Sequence, residues 1–276
     1  MTPLKMDFVQ LIKDATQDPS DLIVKDIPPN ITLIYIDNLV NDQVLTDHVI
    51  SNKQKKSVDT PDTIKAALCI PEINASTRLD VIVKSIVTGS VLIHMEGHSQ
   101  VIMANIPKLE SRSLSTPENE SQVIGAQVGF NESLSTNISL IRRYIVSPDL
   151  CNEKFIVGRR TNISVALLYI NWIANEQMVN TLRQRITDLD VDSLLDSAVL
   201  SEMIDDNSMS AFPQMLLTER PDRFCDGLIN GKLGIVVDGS SMAIVCPQSF
   251  IEFFQSREDQ NLRWQIATFS RLLRFT

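Results

Sequence analysis

Three short segments carry residue types that could do chemistry. His94-Met95-Glu96-Gly97-His98 sets two imidazoles four residues apart, with a carboxylate between them. A zinc protease needs His-Glu-x-x-His on a helix, so that both ligands share a face and the Glu acts on metal-bound water. Here the order is wrong, and Gly97 marks a hairpin turn. A zinc deaminase would also need Pro-Cys-x-x-Cys, and no Cys-x-x-Cys occurs. The pair reads as two adventitious surface histidines. Gly227-Leu228-Ile229-Asn230-Gly231-Lys232 looks like a phosphate loop, but it is one residue short between the glycines and Leu233 follows the Lys. Its order is helix, glycine, strand, so Gly231 reads as a helix C-cap. Asp188, Asp190 and Asp192 alternate as in a calcium loop, yet Ser193 and Val199 occupy the positions that need Gly and Glu. That alternation reads as a half-buried extended segment leading into a helix. No Gly-x-Ser-x-Gly elbow is present, and three histidines leave a His-based triad few members. The expectation is a non-enzyme with no catalytic residues, no metal site and no cofactor.

Composition narrows the partners. The 276 residues hold 25 Lys and Arg against 34 Asp and Glu, a net charge of −9. Such a balance excludes a dedicated nucleic-acid binder, which needs clustered cations to neutralise phosphates. Aromatics make up 5%, too few for single-strand stacking platforms. A 43% apolar fraction can bury a sizeable core. Cys69, Cys151, Cys225 and Cys246 are too sparse for a disulfide scaffold, and Cys69 and Cys246 read as reduced core thiols. The N-terminus lacks a signal-peptide h-region. No apolar run reaches the roughly 18 residues of a membrane span. From Asp259, however, Leu262, Ile266, Phe269, Leu272 and Leu273 follow a helical period that stops at Thr276 without Gly or Pro. Arg271 and Arg274 would suit the cytoplasmic flank of a membrane helix just beyond, the alternative being an ordinary terminal helix.

The elements that would position all this come in two copies. Leu33 to Gln43 matches Leu167 to Gln177 at an offset of 134 residues. Arg78, Asp80, Gly89, Ile93 and Gly97 match Arg220, Asp222, Gly231, Ile235 and Gly239 at an offset of 142. Leu11, Ile12 and Pro19 match Leu140, Ile141 and Pro148 at an offset of 129. The order is preserved, and growing offsets are what loop insertions in the second copy produce. In that copy the periods predict a helix over 131–145, strands over 154–158, 163–170, 233–237 and 242–245, and a helix capped by Asn175. Further helices are expected over 194–204, from Pro221, and over 248–255. The fold class is therefore α/β (mixed α+β): two related subdomains, each a small mixed sheet of about four strands packed with helices. The boundaries are 1–108 for the first, 109–128 for a linker or strap, 129–256 for the second, and 257–276 for a C-terminal helix leading to a membrane region. Phe212-Pro213-Gln214 and Phe253 to Asp259 read as unique to the second copy, so they are the better candidates for contacts with other subunits.

Several strings of the second copy carry a family resemblance. They are Thr136-Asn137-Ile138-Ser139-Leu140-Ile141-Arg142-Arg143, Val157-Gly158-Arg159-Arg160, Phe212-Pro213-Gln214, Thr218-Glu219-Arg220-Pro221-Asp222, Val237-Asp238-Gly239 and Phe253-Phe254-Gln255-Ser256-Arg257-Glu258-Asp259. In this order and spacing, from Gly129 to Thr276, the chain resembles the A subunit of GerA-family spore germinant receptors. Ser193 departs from the expected Gly. The resemblance implies a soluble domain on the cytoplasmic, core-facing side of the spore inner membrane. It implies receptor B and C subunits as partners, a homo-oligomer in the full receptor, and a role in assembly and in the transduction that turns nutrient sensing into ion release and germination. The alternative is a small-molecule module that binds germinant in a pocket between the subdomains. Candidate interface and transduction residues are Phe212, Pro213, Gln214, Glu219, Arg220, Phe253, Gln255, Glu258 and Asp259.

Overall fold

The β-branched runs of the two copies build two sheets on one plan. The computed structural model describes residues 3–28, 30–50, 70, 72–108, 128–205, 214–249 and 268–269. Two compact units divide the chain: Met1–Arg112 with Ile145–Cys151, and Ser113–Tyr144 with Asn152–Thr276. The first runs through α1 (Pro3–Ala15), β1 (Leu22–Ile27), β2 (Ile31–Ile36), α2 (Asp42–Val44), β3 (Ile73–Ser76), α3 (Leu79–Val87), β4 (Ser90–Met95) and β5 (Val101–Asn105). The second runs through α4 (Leu134–Tyr144), β6 (Leu150–Val157), β7 (Ile163–Ile170), α5 (Glu176–Asp188), α6 (Ser197–Ile204), β8 (Leu216–Thr218), α7 (Pro221–Ile229), β9 (Leu233–Val237) and β10 (Ala243–Cys246). The sheets are antiparallel, ordered β1-β2-β4-β5-β3 and β6-β7-β9-β10-β8.

Register repeats with the order. Leu33 pairs with Ile93, and Leu167 with Ile235. Ile93 pairs with Ile102, and Ile235 with Ile244. Ser76 pairs with Val101, and Thr218 with Ala243. A one-residue slip would turn every side chain to the other face. The copies therefore correspond side chain by side chain, at the offsets of 134 and 142 seen in the sequence.

Local devices recur as well. The Asn41 side chain accepts from the N–H groups of Gln43 and Val44, and Asn175 accepts from those of Gln177 and Met178. Each thereby satisfies two of the orphan donors at a helix start. Gly89 and Gly231 end α3 and α7 at φ +94° and +85°. A Cβ there would lie 3.0 Å from the Leu39 or Ile173 carbonyl oxygen, which are themselves aligned positions. Both the left-handed φ and the close backbone demand glycine.

Apolar residues then cover both faces of each sheet. In the first unit, Ile12, Ile82 and Ile86 pack with Ile34, Leu92 and Met103, while Leu33, Tyr35, Leu45, Val91 and Ile93 fill the opposite face. In the second unit, Val179, Leu182 and Ile186 of α5 and Leu200 of α6 cover Leu167 and Ile235. Helices α4 and α7 pack on β7 and β9 of that sheet.

Each sheet has five strands where about four were expected. The additional edge strands β3 and β8 are four and three residues long, too short to display a two-residue period. The first helix of the second unit starts at Leu134, not at residue 131, because Asn131 and Ser133 act before it: Asn131 Oδ1 accepts the Ser133 N–H at 3.0 Å, and the Ser133 hydroxyl accepts the Thr136 N–H at 3.4 Å. The Leu134 N–H is also bonded to the Asp238 carboxylate at 3.1 Å, a partner 104 positions away. Gln248 and Ser249 are not helical. The rest of the helix expected there, the strap over 109–127 and most of the C-terminal helix lie outside the described residues.

Candidate functional site

The chemistry-like segments resolve into structural parts. His94 is buried at 7% exposure, and its ring stacks on Phe8 with centroids 4.5 Å apart. It is therefore not the surface residue expected from sequence: β4 is an interior strand, and α1 covers this position. The aligned Val236 is also buried. His98 is exposed beyond the turn. Among the described residues no three His, Cys, Asp or Glu side chains gather in a metal-holding group. The alternating acids face a cation of the chain itself, with Arg159 Nε 2.8 Å from Asp190 and 3.9 Å from Asp192.

Of the candidate residues, Phe212, Pro213, Phe253, Gln255, Glu258 and Asp259 lie outside the described residues. Gln214 and Glu219 lie on opposite sides of β8, with four residues of chain between them. Glu219 and Arg220 are adjacent and almost inaccessible, at 8% and 3% exposure. The Glu219 carbonyl accepts the Phe130 N–H at 2.8 Å. Arg220 grips Asp222 through two bonds, Nε–Oδ1 3.0 Å and Nη2–Oδ2 2.6 Å. Arg78 and Asp80 repeat this grip in the first unit, at 3.2 and 2.6 Å, but on the surface.

Gln214 is exposed. Its segment proves not to be unique to the second copy: Ile70-Pro71-Glu72 stands 142 positions before Phe212-Pro213-Gln214. Both carbonyls accept a backbone N–H, though from positions one out of alignment, since Asn105 aligns with Pro247. The Glu72 carbonyl accepts the Asn105 N–H at 3.1 Å, and the Gln214 carbonyl accepts the Gln248 N–H at 2.7 Å. What differs is the side chain, a carboxylate in one copy and an amide in the other.

Gln214 also borders a groove of about 300 Å³ alongside α5. Gln177, Thr181 and Arg185 line it from one face of the helix. Leu233, Cys246 and Pro247 line it from the sheet. Burial pushes the Cys246 thiol up to about 12, so the groove holds a neutral thiol. Sequence reasoning missed these residues because they are scattered over some seventy positions and meet only once β9 and β10 pair beside α5.

A polar clamp holds α5 in place. Glu153 on β6 accepts from Tyr169 Oη at 2.7 Å, and from Arg183 Nη2 and Nε at 2.6 and 2.7 Å. Partial burial pushes this carboxyl up, but the bonds from Arg183 and Tyr169 outweigh it and hold it below its ordinary value. A depressed carboxyl stabilises the fold above its unfolded pKa, near 4.3, and loses that contribution as pH falls through the folded value. Glu153→Gln should cost about 1 kcal/mol at pH 7, given the clamp's partial exposure. Urea midpoints at pH 7 and pH 3 check this, since the gap between the chains should shrink at pH 3.

A duplicated α+β chain with matching five-stranded sheets and a groove on its second unit is the class this structure defines. The model of the Bacillus/Clostridium GerA spore germination protein family matches residues 10–276. The chain belongs to that family. It is 34% identical over 273 residues to spore germination protein KA of Bacillus subtilis, covering 95% of this chain and 50% of that protein. It is 29% identical over 247 residues to the uncharacterized membrane protein YfkQ of the same organism, covering 88% of this chain and 48% of that protein. The chain thus spans about half the length of the curated relatives it matches. Its fold is similar to the crystal structure of the N-terminal domain of the A subunit of the Bacillus megaterium spore germinant receptor GerK3. The TM-score is 0.65 at 25% identity, over 88% of this chain and 94% of that one. No helix among the described residues is long and apolar enough to cross a membrane.

Proposed function

We propose that this chain is the core-facing, non-enzymatic domain of a germinant-receptor A subunit, acting in receptor assembly and in coupling nutrient binding to germination. The observation that carries this reading is the likeness to the GerK3 A-subunit N-terminal domain over 88% of the chain. In this reading residues 1–108 and 129–256 are the related units, 109–128 is the strap, and 257–276 leads to the spore inner membrane. B and C subunits and further copies of the A subunit are the partners. A net charge of −9 favours protein contacts over an anionic lipid surface.

Divergence between the copies supports contact sites on the second unit. Asn38 of the first is buried and donates to Asp21 at 3.3 Å. The aligned Trp172 is 84% exposed and sits at φ +67°. An exposed indole in left-handed backbone is unfavourable for the isolated fold, which is what a residue kept for contact looks like. Affinity isolation of the full-length receptor from detergent-solubilised spore membranes tests the reading. A tag on this domain should bring down the B and C subunits, and Trp172→Asn should weaken that recovery. Recovery of the A subunit alone would overturn the assembly role.

A further inference from the structure

One edge of the second unit is bare where the first unit's is covered. In the first unit the chain leaving β5 runs as an extended segment, Ile106-Pro107-Lys108, beside residues 39–41. The Asn41 N–H donates to the Ile106 carbonyl at 3.1 Å, and the Lys108 N–H donates to the Leu39 carbonyl at 2.8 Å. Val40 and Pro107 face each other in an antiparallel bridge. Asn38, Leu39 and Val87 are buried there, at 7%, 7% and 6% exposure. The aligned Trp172, Ile173 and Ile229 of the second unit are 84%, 53% and 54% exposed. Among the described residues the Ile173 carbonyl accepts no hydrogen bond and the Asn175 N–H donates none. The glycines show the same contrast. A Cβ at Gly89 would meet Pro107 at 3.4 and 3.5 Å, whereas the three atoms nearest a Cβ at Gly231 all belong to Ile173.

The aligned stretch after β10 is turned to another task. Pro247 stands where the first unit has Asn105, and the Gln248 N–H donates to the Gln214 carbonyl at 2.7 Å. Residues 106–108 are committed within their own unit, so a second copy would have to open that unit to supply them. We propose that the edge at residues 173–175 docks an extended peptide from a partner protein, with an apolar residue, a proline and a basic residue in succession.

The first unit displays the chemistry such a peptide needs. In a bridge of this kind the central residue's own N–H and C=O point away from the opposite strand. Proline there loses no donor, and it holds the peptide extended before docking. The residue before it is biased to the same conformation. Ala174 replaces Val40 opposite the ring, which leaves it room. The Ile173 carbonyl and the Asn175 N–H supply the main-chain bonds, as in strand addition to a sheet edge. Trp172, Ile173 and Ile229 cover the flanking side chains. A basic residue suits a chain of net charge −9. This deepens the assembly reading, and rests on it only for which protein supplies the peptide.

The probe is the capped peptide Ala-Asn-Ile-Pro-Lys, the sequence of residues 104–108, labelled for fluorescence anisotropy against the 276-residue chain. It should saturate with a midpoint below about 1 mM. Methylating the backbone nitrogen of its lysine removes the donor for the Ile173 carbonyl, and binding should weaken at least about fivefold. Trp172→Asn with Ile229→Ser, both at exposed positions, should keep the unfolding midpoint and weaken the peptide to a similar degree. Leu195→Ser removes another exposed apolar side chain, beside Leu194, whose N–H bonds Thr161 at the opposite end of β7. It should bind the peptide normally. Peptide binding alongside recovery of the A subunit alone from membranes would uphold this site and remove only the receptor-assembly reading. Equal binding of the methylated peptide, binding that survives the double variant, or no saturation through about 5 mM would overturn the proposal. So would self-association of the chain alone that the double variant abolishes, since that gives the edge to a second copy.

Discussion

Gly234→Ala should destabilise the chain by about 3 kcal/mol, the upper part of the range for overpacking a core. A Cβ at position 234 would lie 2.2 Å from Phe224 Cζ and 2.6 Å from its Cε2. The ring cannot retreat easily. Phe224 is fully buried and meets Phe130 edge to face, centroids 5.5 Å apart. The first unit solves the same space differently, with Leu92 and Ile82 at the aligned positions, 0% and 2% exposed. Volume is traded between strand and helix, which close-packed interiors require. Gly234→Leu with Phe224→Ile should therefore recover most of the loss, although each change alone is destabilising. Urea unfolding of the four chains measures the coupling directly. A neutral Gly234→Ala, or a double variant no better than the singles, would mean that the aligned positions are not equivalent in packing.

Arg220→Ala should cost about 3 kcal/mol, near the lower end for breaking a buried ion pair because Asp222 keeps some exposure. The Arg220 side chain is 4% exposed and that of Asp222 is 24%. Removing the guanidinium strands a carboxylate with little access to water. Arg78→Ala removes a grip of the same geometry, but its partners are 73% and 64% exposed. There water replaces the lost bonds, and the midpoint should not move measurably. The two substitutions form an internal control, with one motif and one offset but different burial. Equal effects would show that burial is not what gives the second pair its weight.

These contrasts show what could be read from residues and what could not. The repeat was legible because Leu33 to Gln43 and Leu167 to Gln177 keep letters as well as pattern, and the shared letters proved to be caps, turns and paired strand positions. Strand β9 and the Pro221 to Gly231 helix were legible because apolar run, proline and glycine are local signals. His94 was misplaced because its burial depends on α1, eighty residues earlier. The Ile70-Pro71-Glu72 counterpart of Phe212-Pro213-Gln214 was missed because only the proline is identical. The groove has no sequence signal of its own. Comparing charges at aligned positions, Asp47 with Thr181 and Glu72 with Gln214, is the signal that could have found it.

Coupling of this domain to germination is tested most directly by nutrient-triggered cation release from spores whose full-length receptor carries Gln214→Ala. Gln214 is exposed, and among the described residues its tie to the fold is through its carbonyl, which accepts the Gln248 N–H. The isolated chain should keep its unfolding midpoint, and the receptor subunits should reach their usual level in the membrane. Cation release should nevertheless slow severalfold. Release at the normal rate with the variant receptor present would contradict a part for this surface in transduction.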